Sequence, residues 1–449
     1  MPGLSNSHLT TGKPRSRSPE VAYYFERFGF APHLPPLIAE PPHPHLGLII
    51  VIPCYNEPNL LDSLNSLWRC ERPACAVELI VVINSSETSP PSVFEQNQRT
   101  LAEAQLWARE DCDRYFRIHF FHTANLPRKH GGVGLARKIG MDEALHRADS
   151  LNRLELPIIC FDADSTCDEN YLTEIEKYFA SSKKSPGCSI YFEHPLENGD
   201  IQHKGTEKRE TPSLCASVVN SSFVFVEAIT LYELHLRYYV EGLRFAGFPH
   251  AFHTIGSSMA VRASAYMRQG GMNKRQAGED FYFLHKIIPL GHFGEINTTR
   301  VIPSPRPSDR VPFGTGRAVR DYLTTHKFET YPLEAFHDLK QFCAIIDSLR
   351  VSNDPLPTLA VPLQQFLTNQ NTENVLAEIR THTTTPETFR ARFFRWFDGF
   401  LAMKYIHHAR DTAYGAAEIT QAAHTLINSP HQSARDLLLH YRTLQRLPP

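Results

Sequence analysis

Residues 46–53 read LGLIIVIP, an uncharged run dominated by branched aliphatic side chains. Such a run has no polar face to turn toward water. It predicts a strand covered on both sides, as in a parallel sheet packed between helices. Cys54-Tyr55-Asn56-Glu57-Pro58 ends it, and Leu60, Leu61, Leu64 and Leu67 then recur at helical spacing. The pattern repeats along the chain. Residues 77–83 are a second aliphatic strand ending at Asn84, 95–113 a helix and 116–121 a strand. Residues 131–148 are a glycine-led helix with Ala136, Ile139, Ala144 and Leu145 on one side, and 158–161 another short strand. Strands alternating with helices at these intervals define βαβ units and a mostly parallel sheet.

The strand 158–161 runs directly into Asp162-Ala163-Asp164. In an open α/β sheet the ligand crevice lies outside the carboxyl ends of the strands. In extended chain, residues i and i+2 face the same side, so both carboxylates can meet one ligand. Mg²⁺ is usually held by one or two carboxylates together with substrate phosphates. A loop without function can also read Asp-x-Asp, so the rest of the chain has to carry the case.

Further along, 168–179 reads as a helix, 188–193 as a strand and 198–211 as a charged surface loop. Residues 217–245 are a long, nearly apolar helix, read as buried beside the active site, with a lipid-facing surface as the alternative. A strand-like stretch at 252–263 and the turn Gly270-Gly271 precede Glu279-Asp280, two acids at the start of a helix. Acids there are favoured by the helix dipole alone. Residues 294–302 are the last strand. Arg300, Arg306, Arg310, Arg317 and Arg320 then cluster among prolines, either as a phosphate grip or as a solvated linker.

At 449 residues the chain exceeds one hydrophobic core. From about Val319 only helical spacing remains: Leu333, Phe336, Leu339 and Phe342, then Phe389, Phe393, Trp396 and Phe397. The boundaries expected are a disordered, proline-rich segment at 1–45, an α/β domain at 46–318 and an all-α domain without strands at 319–449. With 46 basic against 48 acidic residues, the chain has no electrostatic footprint for nucleic acid. Nine scattered cysteines without a CxxC pair imply reduced thiols and a cytoplasmic location. No uncharged run reaches the roughly 18–20 residues of a spanning helix, so no transmembrane segment is expected. Peripheral membrane contact stays open.

VIPCYNEP (51–58), ELIVVINSSE (78–87), GLARKIGMDEAL (134–145), IICFDADS (158–165) and GSSMAVRASAYMRQGGMNKRQAGED (256–280) follow one another in this order. Over about residues 46–300 the chain thereby resembles an inverting GT-A glycosyltransferase of the family 2 type. The resemblance implies a nucleotide-diphospho-sugar transferase fold, a Rossmann-like and mostly parallel sheet. It implies one sugar moved from a nucleotide-sugar donor to an acceptor hydroxyl, with Mn²⁺ or Mg²⁺ on the diphosphate. Carried over residue by residue, Pro53, Tyr55 and Glu57 hold the nucleotide, with the Tyr55 ring on the base. Arg137 lies near base and phosphates, Asp162 reaches the ribose or the metal's shell, and Asp164 contacts the metal. Asp280 is the general base, with Glu279 beside it binding the acceptor or orienting the site.

Two departures matter. Asn84 stands where the family commonly has an Asp that accepts from a uracil N–H, which leaves the base open. The Gln-x-x-Arg-Trp sequence of processive polysaccharide synthases is absent, which points to one sugar per encounter. The acceptor, whether saccharide, lipid-linked or a phosphorylated small molecule, has no readable code. His253, His292 and His326 are candidates for a late metal ligand. A sugar-phosphate nucleotidyltransferase would want a glycine-rich, Lys- or Arg-bearing loop where Cys54-Tyr55-Asn56-Glu57 stands. A catalytically inactive sugar-nucleotide-binding or interaction module is the rival of another class, and the intact Asp162, Asp164 and Asp280 argue against it.

Overall fold

The computed structural model describes residues 17–31, 35–111, 113–196, 215–306, 314–351 and 358–447. The chain forms two compact units. The first contains the residues up to Glu193 together with Thr254–Ser304, and the second His194–His253 together with the residues from Gly314 onward. No described helix is long and apolar enough to cross a membrane.

Eight strands of the first unit make one sheet: β1 (Leu46–Cys54), β2 (Ala76–Ser86), β3 (Phe116–Leu126), β4 (Pro157–Cys160), β5 (Thr166–Cys167), β6 (Gly187–Phe192), β7 (Met259–Arg262) and β8 (Gly294–Ile302). Their order is β3-β2-β1-β4-β7-β6-β8-β5. β1 to β4 are mutually parallel where they pair, and β6 is parallel to β8. β7 runs antiparallel to both β4 and β6, and β5 antiparallel to β8. Every side chain of β1 except Gly47 is buried, as a strand covered on both faces requires. The strand expected at 252–263 shrinks to four residues, because its first half is a loop around Gly256.

In chain order the first eight helices are α1 (Pro19–Phe28), α2 (Leu60–Arg69), α3 (Pro91–Asp111), α4 (Val133–Ser150), α5 (Tyr171–Ser181), α6 (Cys215–Phe245), α7 (Ala263–Arg268) and α8 (Glu279–Ile287). Helix α4 is unusual in being buried all round, including Arg137, Lys138, Asp142, Glu143 and Arg147. Its aliphatic side packs on the sheet. Its polar side is covered by residues 17–31 and 35–40, part of a stretch expected to be disordered that instead contains α1. Tyr24 and Tyr266 donate their hydroxyls to Asp142 at 2.6 and 2.7 Å, and the Phe30 N–H donates to its other oxygen at 2.8 Å. The N–H groups of Leu37 and Ile38 donate to Glu143 at 2.8 and 3.1 Å. Arg147 forks onto Glu78 of β2 at 2.6 and 2.7 Å. The signal for α1 lay in Ser18-Pro19, with Pro at the first helical turn, and in the spacing of the buried Val21, Tyr24 and Phe25.

The second unit comprises α6 with α9 (Thr315–Thr325), α10 (Leu333–Ile345), α11 (Val361–Asn369), α12 (Thr372–Thr381), α13 (Pro386–Trp396), α14 (Gly399–Ala409), α15 (Ile419–Ile427) and α16 (Ala434–Arg446). Its core joins Ile229, Leu234 and Tyr238 of α6 to Phe336, Phe342, Phe393, Tyr405 and Leu438. The aromatic stripe at 389–397 is therefore core. Two expectations change. Helix α6 groups with these helices rather than with the α/β domain, because its apolar residues complete their core. The unit also carries a strand pair, β9 (Glu329–Thr330) with β10 (Ala417–Glu418), too short to leave a period in the sequence. The loop expected at 198–211 lies outside the described residues, as do Arg310 and the proline segment around it.

A buried ion cluster joins α6 to α16. Glu233, fully enclosed, accepts from Arg237 Nε at 2.8 Å, from Arg442 Nη2 at 2.7 Å and from the His194 N–H at 2.8 Å. Burial alone would raise this carboxyl, but Arg237, His194 and Arg442 overcome it and hold it well below the usual carboxylate range. Removing one partner of such a group leaves unpaired charge in the interior, at about 3–5 kcal/mol. Glu233→Ala should therefore lower unfolding stability by about that much, read from urea unfolding monitored in the helical signal. A loss below about 1 kcal/mol would show that the two arginines reach solvent.

Candidate active site

The chain proceeds from β1 to β2 and β3 on one side and then crosses to β4 on the other. The crevice at the carboxyl ends of β1 and β4 is thus a topological switch point, the place where open α/β sheets bind ligands. Strand register decides which residues reach it. Val51 pairs with Cys160, and the Phe161 N–H donates to Val51 O at 3.1 Å, so Pro53 and Asp162 follow side by side. Cys54 pairs with Ile83, which sets Asn84 next to Tyr55. Asp162 and Asp164 lie in the turn after β4, held open to the crevice while Ser63 of α2 donates to Ala163 O at 2.8 Å.

Arg137, in the first turns of α4, is the centre of this arrangement. Its Nη1 meets Glu279 Oε1 and its Nη2 meets Asp162 Oδ1, both in close ion pairs. Burial works against the charge, but Asp162 and Glu279 outweigh it and hold the guanidinium above its ordinary value. Glu279 and Asp280 open α8, whose N-cap Gly278 has φ +66°, a conformation glycine adopts without penalty. A Cβ on Gly256 would lie 2.5 Å from Arg137 Nη1, so the loop before β7 needs glycine for the guanidinium to fit.

Three carboxylates around one cation leave an excess of negative charge. Burial pushes Glu279 up to about 7; Arg137 opposes this and Asp280 adds to it. Asp280, partly exposed to the crevice, is likewise raised by burial, with Arg137 opposing, while its Oδ1 accepts from the Phe281 N–H at 2.7 Å.

The base-side wall is built from β1 and β2. Asn84 is buried, and neither its amide nitrogen nor its amide oxygen has a hydrogen-bond partner. An unpaired buried amide is costly, which points to a ligand at this position. Asn56 sits at φ +49°, and its N–H donates to Asn97 Oδ1 at 2.9 Å. The same Asn97 donates to Asn84 O at 2.9 Å. One fully buried side chain of α3 thus ties the two loops together. Glu57 is enclosed, its Oε1 accepting from the Asn59 N–H at 2.9 Å. Tyr55 is half-buried at the rim.

Among the sequence candidates, then, Arg137, Asp162 and Glu279 meet directly, and Asp280 adjoins them. Pro53, Tyr55, Glu57 and Asn84 form the adjacent wall. The late-ligand histidines do not join them: His253 binds Gln445 at 3.0 Å within the second unit, His326 ends α9 there, and His292 is exposed in a turn. Arg300 is engaged by Asp168 and Glu193 at 2.9 and 2.8 Å. Asn97 and Gly256 were not singled out in the sequence. Asn97 was hidden as one polar residue of an ordinary helix, and Gly256 was read only as the middle of a strand-like stretch.

No three His, Cys, Asp or Glu side chains are grouped as a metal cage among the described residues. The donor chemistry still fits a hard divalent ion. Asp162 gives one oxygen to Arg137, and both Asp162 and Asp164 are half-buried in the turn after β4; one or two carboxylates with substrate phosphates is the set that suits Mg²⁺.

The fold is the α/β GT-A-like arrangement, followed by a helical C-terminal region. Residues 49–268 match Glycosyl transferase family 2, and the chain belongs to that family, which classes it as a glycosyltransferase. No curated protein matches the chain. Similar solved structures include TarS 1-349 from S. aureus, at 16% identity and TM-score 0.34, covering 56% of this chain and 58% of that one. The same protein in complex with UDP-GlcNAc aligns at 13% identity and TM-score 0.37, over 89% of this chain and 90% of that one. The mannosyltransferase PcManGT from Pyrobaculum calidifontis, in complex with GDP-Man and Mn²⁺, aligns at 13% identity and TM-score 0.34, covering 85% and 95%.

The raised Glu279 carboxyl has a thermodynamic consequence. Between its ordinary value of 4.5 and about 7, the folded protein holds a proton that the unfolded chain has released. Stability from this group is therefore present below pH 4.5 and is lost as pH rises through about 7. Glu279→Gln should flatten that fall, measured as thermal midpoints across this pH range. An unchanged slope would place the proton elsewhere.

Proposed function

We propose that this chain transfers one sugar from a nucleoside-diphosphate sugar to an acceptor hydroxyl, with inversion at the anomeric carbon. Family membership supports the reaction class. The observation that carries the donor site is the buried, unpartnered amide of Asn84 at the carboxyl end of β2. A nucleobase edge offers both a donor and an acceptor, which an amide can answer together. Tyr55 supplies a ring for the face of that base, while Pro53 and Glu57 shape the loop behind it.

In this reading Asp162 and Asp164 would hold Mn²⁺ or Mg²⁺. Such an ion would supply neutralisation of the charge that develops on the diphosphate leaving group. Arg137 fixes the orientation of Asp162 and balances the local charge. Asp280 takes the acceptor proton as its oxygen bonds to the anomeric carbon and the bond from that carbon to the diphosphate breaks. Its raised proton affinity suits a base working near neutral pH. Glu279, clamped by Arg137, holds the start of α8 so that Asp280 faces the crevice. The acceptor is a saccharide, a lipid-linked sugar or a phosphorylated small molecule. Because the chain lacks a processivity sequence, one sugar is added per encounter.

Two measurements test this. A thermal-shift screen of nucleoside diphosphates and nucleotide sugars, with and without Mn²⁺, should show one base stabilising the protein in a metal-dependent way. A ligand at 100 times its Kd adds about 2.7 kcal/mol, and Asp164→Ala should abolish the metal-dependent part. No shift with any nucleotide would leave only a degenerate binding module. Once a donor is found, Asp280→Asn should lower kcat by about 10²–10⁴-fold with donor affinity retained, and a smaller loss would remove Asp280 as the base.

A further inference from the structure

Helix α2 runs behind the turn that carries Asp162 and Asp164, and its contacts with the chain beyond that turn include two thiols. Ser63 holds Ala163 O at 2.8 Å, one turn later Ser66 Oγ lies 3.8 Å from Cys167 Sγ, and one turn later still Cys70 Sγ lies 3.6 Å from Cys167 Sγ. Cys70 also has the carbonyls of Ser66 and Asp168 at 3.3 and 3.6 Å. The backbone binds the same two segments, with the Glu71 N–H donating to Glu169 O at 2.7 Å. Residues 97 apart in sequence are thus held with their sulfurs in contact and unbonded.

We propose that Cys70 and Cys167 are a redox-convertible pair, oxidised by a low-molecular-weight disulfide, whose bridge grips the turn bearing Asp162 and Asp164. Closing the bridge needs the sulfurs to move from 3.6 Å to about 2.05 Å and the side chains to turn to the disulfide dihedral of roughly 90°. The order of events follows from exposure. Cys167 is partly exposed and Cys70 is buried, so Cys167 is the sulfur a small disulfide reaches; burial and the neighbouring Cys70 hold its thiol well above the ordinary value, and the minor thiolate fraction opens the small disulfide and releases one thiolate. Cys70 then attacks the Cys167 sulfur and releases the second. The net change is two protein thiols and one disulfide converted to one protein disulfide and two small thiols.

The position gives the bridge its meaning. β5 begins two residues after Asp164, and its other neighbour is β8, through Thr166–Ile302 and Cys167–Val301. Drawing Cys167 toward α2 therefore pulls on the turn from its far side while Ser63 holds its middle. The effect on nucleotide binding rests on the donor site proposed above; formation of the bridge does not.

The test equilibrates the full chain with oxidised glutathione, alkylates the remaining thiols and maps the peptides by mass spectrometry. A linked Cys70–Cys167 peptide, lighter by two hydrogens and released by dithiothreitol, is the expected result. Cys70→Ser should instead accumulate a glutathione adduct on Cys167, with circular dichroism checking that the variant is folded. Alkylation of both thiols in the treated wild type, or a persistent glutathione adduct on Cys167 in it, would overturn the pair. Binding of nucleoside diphosphate with Mn²⁺ is then compared between reduced and bridged protein, with weaker binding expected after bridging. Equal binding would overturn the grip on the turn. No binding by either form would overturn the donor site and leave the bridge standing.

Discussion

One guanidinium organises the α/β unit. Arg137 is enclosed, and a buried cation survives only where carboxylates and hydrogen bonds replace its water. Here the carboxylates come from two separate stretches, Asp162 after β4 and Glu279 at the head of α8, the second of them 142 residues from Arg137 in sequence. The charge requirement thereby fixes where α4, the β4 turn and α8 stand relative to one another. It also dictates Gly256, because any side chain there would occupy the place of the guanidinium. The chemistry proposed for Asp280 depends on this clamp, since the adjacent residue is the one that Arg137 holds.

Around that clamp, polar side chains act as cross-links between segments that the hydrophobic pattern alone would leave loose. Asn97 joins the loop after β1 to the end of β2, and Ser63 joins α2 to the turn after β4. In the helical unit, Glu233 does the same for α6, α16 and the chain at His194. Each is a buried polar group with several partners, and such groups fix geometry because their alternatives cost desolvation without compensation.

The parts legible in the sequence were those with a local signature. β1, β2 and β4 announced themselves as apolar runs, broken only by Glu78 in β2, and the polar residues that follow them lie at the crevice. Glu279-Asp280 read as a helix start, which α8 confirms. The parts that escaped depend on partners far away in sequence. The helix at Pro19–Phe28 has a short signal of its own, set among prolines and arginines, and the Asp142 that receives its Tyr24 hydroxyl is far along the chain. Helix α6 looked like part of the α/β domain by position, yet its apolar residues belong to a core completed by residues from Val319 onward. Asn97 and Gly256 are single residues whose importance lies in what they touch, and spacing does not report touch. The two-residue strands β9 and β10 are shorter than any period that could reveal them.

The cover over α4 bears on the order in which the molecule can assemble. Tyr24 and Phe30 are 118 and 112 residues ahead of the carboxylate that receives them. During synthesis this leading segment must wait, unpaired, until β1, β2, β3 and the whole of α4 have been made. Contacts of such span are slow to close, because the loop entropy is lost before the contact compensates for it. The segment that seals the back of α4 is therefore made before the helix it covers and is among the last parts to dock. Lys138 and Asp142, which meet the Tyr24 hydroxyl, can take their enclosed setting only after that late docking is complete.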